Sequence, residues 1–152
     1  MKKKICLIFS FCLILLLTFT GCGNKTSIST SDFKSTMEDK KFTVQDATDQ
    51  FEKGVVEQVY LALNDNYQIE FYKTVDESQA ITAFNQNKSN FESTSSSSKV
   101  ETNVSLGNHS KYTLKSGGKY MVISRIDDTF IYLNVDEKYE SEIDGILDNW
   151  DY

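Results

Sequence analysis

The sequence predicts an α+β domain, an antiparallel β-sheet with helices packed on one face, and it admits two pseudo-repeated αβββ units. Three observations predict this. Several segments alternate apolar and polar residues with period two between clusters of turn residues. Tyr139, Ile143, Ile146, Leu147 and Trp150 repeat with helical spacing near the end of the chain. Residues 60–77 can be laid on 120–137, so that Tyr60 meets Tyr120, Tyr72 meets Tyr132 and Val75-Asp76-Glu77 meets Val135-Asp136-Glu137. The fit slips by about two residues at the turns, so independent strand-to-helix chemistry remains the alternative to duplication. With 152 residues and a formal charge of −6, the chain fits one domain.

Residues 1–21 read as a secretory signal. Lys2, Lys3 and Lys4 open the chain, an apolar run follows over 5–19, and Thr20-Gly21-Cys22 closes it with small residues. The run is short of the roughly 20 residues that a spanning helix needs. Residues 22–30 are small and polar and read as a flexible tether. Residues 31–152 form the domain.

Phe33 and Met37, four apart, mark a short helix over 32–40, and residues 43–51 a loose edge strand. Residues 55–64 and 67–74 form a hairpin around Asn64-Asp65-Asn66. Asp76 caps a helix to about residue 92, with Gln79 three positions on and Ala80, Phe84, Asn87 and Phe91 along one side. Serines over 93–98 read as a mobile loop. Strands follow over 100–106 and 111–115, then a hairpin of 120–126 and 129–134 around Asp127-Asp128. Asp136 caps the last helix.

Helices over Leu61, Leu63, Ile69, Phe71, Met121, Ile123, Ile131 and Leu133 would leave Tyr60, Tyr72, Tyr120, Phe130 and Tyr132 on an open face. Such a face offers area with polar tips, a candidate docking surface. The competing reading is that these aromatics pair across strands as core.

The residue inventory favours no catalytic constellation and no cofactor or metal. His109 is the one histidine, in a turn-like Gly107-Asn108-His109-Ser110 stretch that reads as an exposed loop. Asp127-Asp128 reads as a turn before it reads as an acid pair. Glu140, Asp144 and Asp148 read as a solvated acidic face before a Ca²⁺ site. The acidic balance argues against nucleic acid.

Phe19-Thr20-Gly21-Cys22 resembles the lipobox of bacterial lipoproteins, with Phe19 where the family usually has Leu. The resemblance implies a diacylglycerol on Cys22 after removal of residues 1–21. Two acyl chains anchor stably where one binds marginally. The mature chain would hold 13 basic and 22 acidic residues, a charge of −9, and should stand off anionic lipid. Cys6 and Cys12 would leave with the signal. The phrases Gln68-Ile69-Glu70-Phe71-Tyr72, Ala83-Phe84-Asn85 and Ser124-Arg125-Ile126-Asp127 further resemble small α+β lipoproteins of Gram-positive bacteria without assigned activity. The expectation is a lipid-anchored protein on the extracytoplasmic face of the cell membrane. It would be a non-enzymatic module binding an envelope protein or ligand. The alternatives are an envelope hydrolase using acidic residues and a small solute-binding lipoprotein.

Overall fold

The computed structural model describes residues 23–96 and 98–152. The signal reading and Cys22 lie outside them.

Helix α1, Thr30–Asp39, starts at Ser29, whose side chain accepts from the Asp32 amide. It buries Phe33 and Met37, the pair four apart in the sequence. Strands β1 (Thr43–Asp46), β2 (Val56–Leu63) and β3 (Gln68–Thr74) follow as a meander. Asn64 Oδ1 accepts from the Asn66 and Tyr67 amides and so sets the β2–β3 turn. Helix α2, Glu77–Thr94, is capped by Asp76, which accepts from the Gln79 amide. Strands β4 (Lys99–Leu106), β5 (His109–Ser116), β6 (Lys119–Ile126) and β7 (Thr129–Asp136) form a second meander through two-residue turns. A short 3₁₀ turn over Glu137–Tyr139 leads into α3, Glu140–Asp148. Asp136 does not cap it; its carboxylate accepts from Lys119 Nζ at 2.7 Å, because the strand continues to that residue.

All seven strands form one antiparallel sheet in the order β1-β2-β3-β7-β6-β5-β4. Phe71 pairs with Ile131 across the β3–β7 seam, and these two are equivalent under the 60-residue offset. The strands around the seam therefore approach a local two-fold. The helices break it, since α2 and α3 follow equivalent strands yet pack on opposite faces.

The α+β class and the antiparallel sheet are as expected, but the helices cover both faces. Phe33 and Met37 of α1 and Ile143, Ile146 and Leu147 of α3 pack on Ala62, Ile69, Phe71, Val122, Ile131 and Leu133. We call this the first face. Ala80, Phe84 and Phe91 of α2 pack on Tyr112, Leu114, Met121, Ile123 and Phe130, the second face. Met121 and Ile123 thus lie opposite Ile131 and Leu133, not beside them. Arg125, 4% exposed, ties the start of α2 to the second face by donating to Glu77 at 2.9 Å, and it also donates to the Asp127 carbonyl at 3.0 Å.

Candidate functional site

The five aromatics do not share a face. Strand phase decides this. The Asn64–Tyr67 turn pairs Leu63 with Gln68, which sets Tyr60 opposite Phe71 and Ala62 opposite Ile69. Tyr60 therefore lies on the first face, stacked on Phe33 at 6.5 Å. The Ile126–Thr129 pairing sets Tyr120 opposite Val135, also on the first face. Tyr120 is 3% exposed and its hydroxyl donates to Asp144 Oδ1 at 2.6 Å. Burial, then that carboxylate, pushes its pKa well above the usual tyrosine value. Tyr60 and Tyr120 are packing residues.

Tyr72, Phe130 and Tyr132 do come together, on the second face. Their face is not an open sheet: α2 crosses it and leaves a cleft between the helix and β2, β3 and β7. The cleft holds about 390 Å³, within the range of small-ligand sites. Its floor is aromatic. Tyr72 stacks on Phe130 with centroids 4.3 Å apart and meets the edge of Phe51 at 5.7 Å. Tyr132 stacks on Phe91 at 5.3 Å. Phe130 is buried, whereas Tyr72 and Tyr132 are half-buried and Phe51 is exposed.

One carboxylate enters the cleft. Glu70 stands opposite Tyr132 across the β3–β7 ladder. Its carboxylate accepts from Gln68 Nε2 at 2.7 Å and from the Tyr72 hydroxyl. Burial, then Glu70, raises the Tyr72 pKa far above its ordinary value, so the phenol stays a donor. The α2 wall is built of Gln79, Thr82, Gln86, Asn87 and Asn90. Asn87 Nδ2 donates to the Ala83 carbonyl at 2.9 Å, which leaves its Oδ1 uncommitted by that bond.

Sequence reasoning missed the amide wall. Its signal is present: residues 79, 82, 83, 86, 87 and 90 recur at helical spacing beside the apolar stripe of Ala80, Phe84 and Phe91. It missed Glu70 and Phe51 because only the fold brings β3 and the loop before β2 to α2.

The other candidates are placed as follows. His109 is 8% exposed, not an exposed loop residue, because it opens β5 opposite Leu106. Its Nδ1 is buried with no hydrogen-bond partner among the described residues, and burial, then Lys25, lowers its pKa. Asp127 and Asp128 occupy the β6–β7 turn; Asp127 accepts from Asn108 at 2.8 Å and Asp128 pairs with Lys73. Glu140 pairs with Lys115 at 3.1 Å and Asp144 takes the Tyr120 hydroxyl, so the acidic side of α3 is partly engaged by the sheet. Among the described residues, no cluster of three His, Cys, Asp or Glu side chains is placed to hold a metal ion. No helix among them is long and apolar enough to cross a membrane.

No protein-family model matches this chain, and neither a curated protein nor a solved structure matches it.

Proposed function

We propose that the protein is a lipid-anchored binding module of the extracytoplasmic face of the cell membrane. It holds a small ligand in the cleft beneath α2 without transforming it. The single observation that carries the binding reading is the cleft itself: an aromatic floor faced by a wall of uncharged amides. Aromatic faces take flat apolar surface, and amides take hydroxyls and carbonyls in either direction. That combination suits a neutral polar ligand with one flat apolar face, the chemistry of a sugar ring. Glu70 would fix its orientation by accepting from a ligand donor, while Tyr72 and Gln68 hold the carboxylate in place. A concave site also favours a small ligand over an envelope protein docked on a flat sheet. The anchor reading is supported by the order of charged, apolar and small blocks before Cys22.

Two experiments test the two halves. A photoreactive residue at Gln86, on the cleft wall, should give a discrete adduct in cells, while one at Glu142 on α3 should not. Equal labelling at both sites, or none at Gln86, counts against the cleft. Cys22→Ser should release the protein from membranes; full retention refutes the lipid anchor.

A further inference from the structure

We propose that the domain does not hang from a free tether but rests on the bilayer at its β4–β5 turn, with Leu106 and Val104 against lipid. This rests on the anchor reading above, and it differs from the expectation that the domain stands off the surface. The segment after Cys22 is clasped. The Lys25 amide donates to Asn108 Oδ1 at 2.8 Å, and Asn108 Nδ2 donates back to the Lys25 carbonyl at 2.8 Å. Lys25 Nζ reaches the Asp151 carbonyl at 2.5 Å. Gly23 lies so close to β4 that a Cβ there would stand 3.1 Å from Leu106 Cγ. Gly107 is needed on the other side of this clasp. Its φ is +57°, and a Cβ on it would stand 2.6 Å from Asn24 Oδ1.

Reach then decides the geometry. Eight free residues would hold the domain roughly 14–17 Å from the lipid on average. Clasped at Gly23, residue 22 can lie only about 3.8 Å away, one peptide unit. The lipid is therefore delivered to one spot, beside the exposed side chain of Leu106, with Val104 next to it at the border of the Lys111, Asp144 and Asp148 side chains. Leu106 is 59% and Val104 44% exposed, on the same side of an edge strand. Of the turn carboxylates at this end, Asp128 is paired with Lys73, and Asp127 is turned back onto the clasp by accepting from Asn108. The path of the chain thus argues for lipid over a second copy paired along β4.

The test uses the full chain in phosphatidylcholine vesicles, with and without brominated lipid. Leu106→Trp and, separately, Val104→Trp report on the docked end over the background of Trp150. Asp65→Trp reports on the β2–β3 turn at the far end of the sheet. Added quenching at 106 and 104 but not at 65, reduced when Asn108→Ala is combined with Leu106→Trp, is the expected result. Flotation with vesicles but no added quenching at 106 and 104, or equal quenching at all three sites, overturns the docked orientation and leaves the anchor standing. Failure to float overturns the anchor, and this inference with it. A disulfide dimer through Thr102→Cys, with residue 106 protected from quenching, assigns the edge to a second copy and overturns the lipid contact.

Discussion

Replacing Phe33 by Ala removes a fully buried ring from between helix α1 and the first face of the sheet. The ring lies 4.8 Å from Phe71 and 5.4 Å from Trp150. A phenylalanine buries at least about 150 Å². At about 25 cal/mol per Å² that is about 4 kcal/mol, and with an unrelaxed cavity the expected cost is ~3–5 kcal/mol. A domain of this size holds only about 5–15 kcal/mol in total. Urea unfolding followed by fluorescence is the assay, because Trp150 is the one tryptophan in the chain. Its emission in the folded variant should also shift to the red, since it loses the ring it packs on. Phe84→Ala is the paired measurement. Phe84 sits under α2 on the second face, so its loss should cost a similar amount and leave the folded-state emission of Trp150 unchanged. A cost below ~1 kcal/mol for Phe33→Ala would refute the reasoning. So would an equal emission shift in Phe84→Ala, because the sheet would then not separate two cores.

Further outcomes follow from the clasp and the turns. His109 has a folded-state pKa below its ordinary 6.5, so the unfolded chain binds the proton more tightly. Its contribution to stability is complete above pH 6.5 and is lost as pH falls towards the folded value; His109→Gln should flatten that part of the stability–pH curve in chemical denaturation. Asn108→Ala removes both bonds to Lys25 and the one to Asp127, and should cost ~1–3 kcal/mol, with hydrogen exchange at the Lys25 amide rising most. Gly107→Ala meets both a left-handed backbone and an occupied space, and should destabilise by more than ~1 kcal/mol in the same assay. Tyr72→Phe removes a donor from Glu70 but keeps the stack on Phe130, so thermal stability should fall by no more than ~1.5 kcal/mol while adduct formation at Gln86 drops.

Local chemistry made the elements legible. Asp76 with Gln79 starts α2, Gly117-Gly118 turns β5 into β6, and the stripe from Ile143 to Leu147 finds α3. What stayed hidden depends on phase and crossing. Alternation says that neighbours on a strand face opposite ways, but not which set meets which set on the next strand. The turn at Asn64 makes that choice, and it moved Tyr60 to the packed face. Nothing local tells α2 to cross to the side opposite α1 and α3. The cleft needs that crossing, so only part of its aromatic floor, Tyr72, Phe130 and Tyr132, was visible in advance. Strand β4 escapes the usual inference: all of its residues are exposed, the apolar Val100, Val104 and Leu106 included, because it is the edge strand and no helix among the described residues covers it.

The seam between β3 and β7 sets the order in which the chain can complete itself. Every other ladder joins strands that are neighbours in sequence. This one pairs Glu70–Lys73 with residues about sixty positions later, Thr129–Tyr132. Closing so long a loop is the slow, entropically expensive step, while the two meanders zip from their turns. A chain emerging amino end first must therefore wait with one edge of β3 bare until β7, about sixty residues later, is out. During that interval the aromatic strand Ile69–Tyr72 is an open template, and a holding chaperone or a fast-forming α2 laid across it would decide between folding and aggregation.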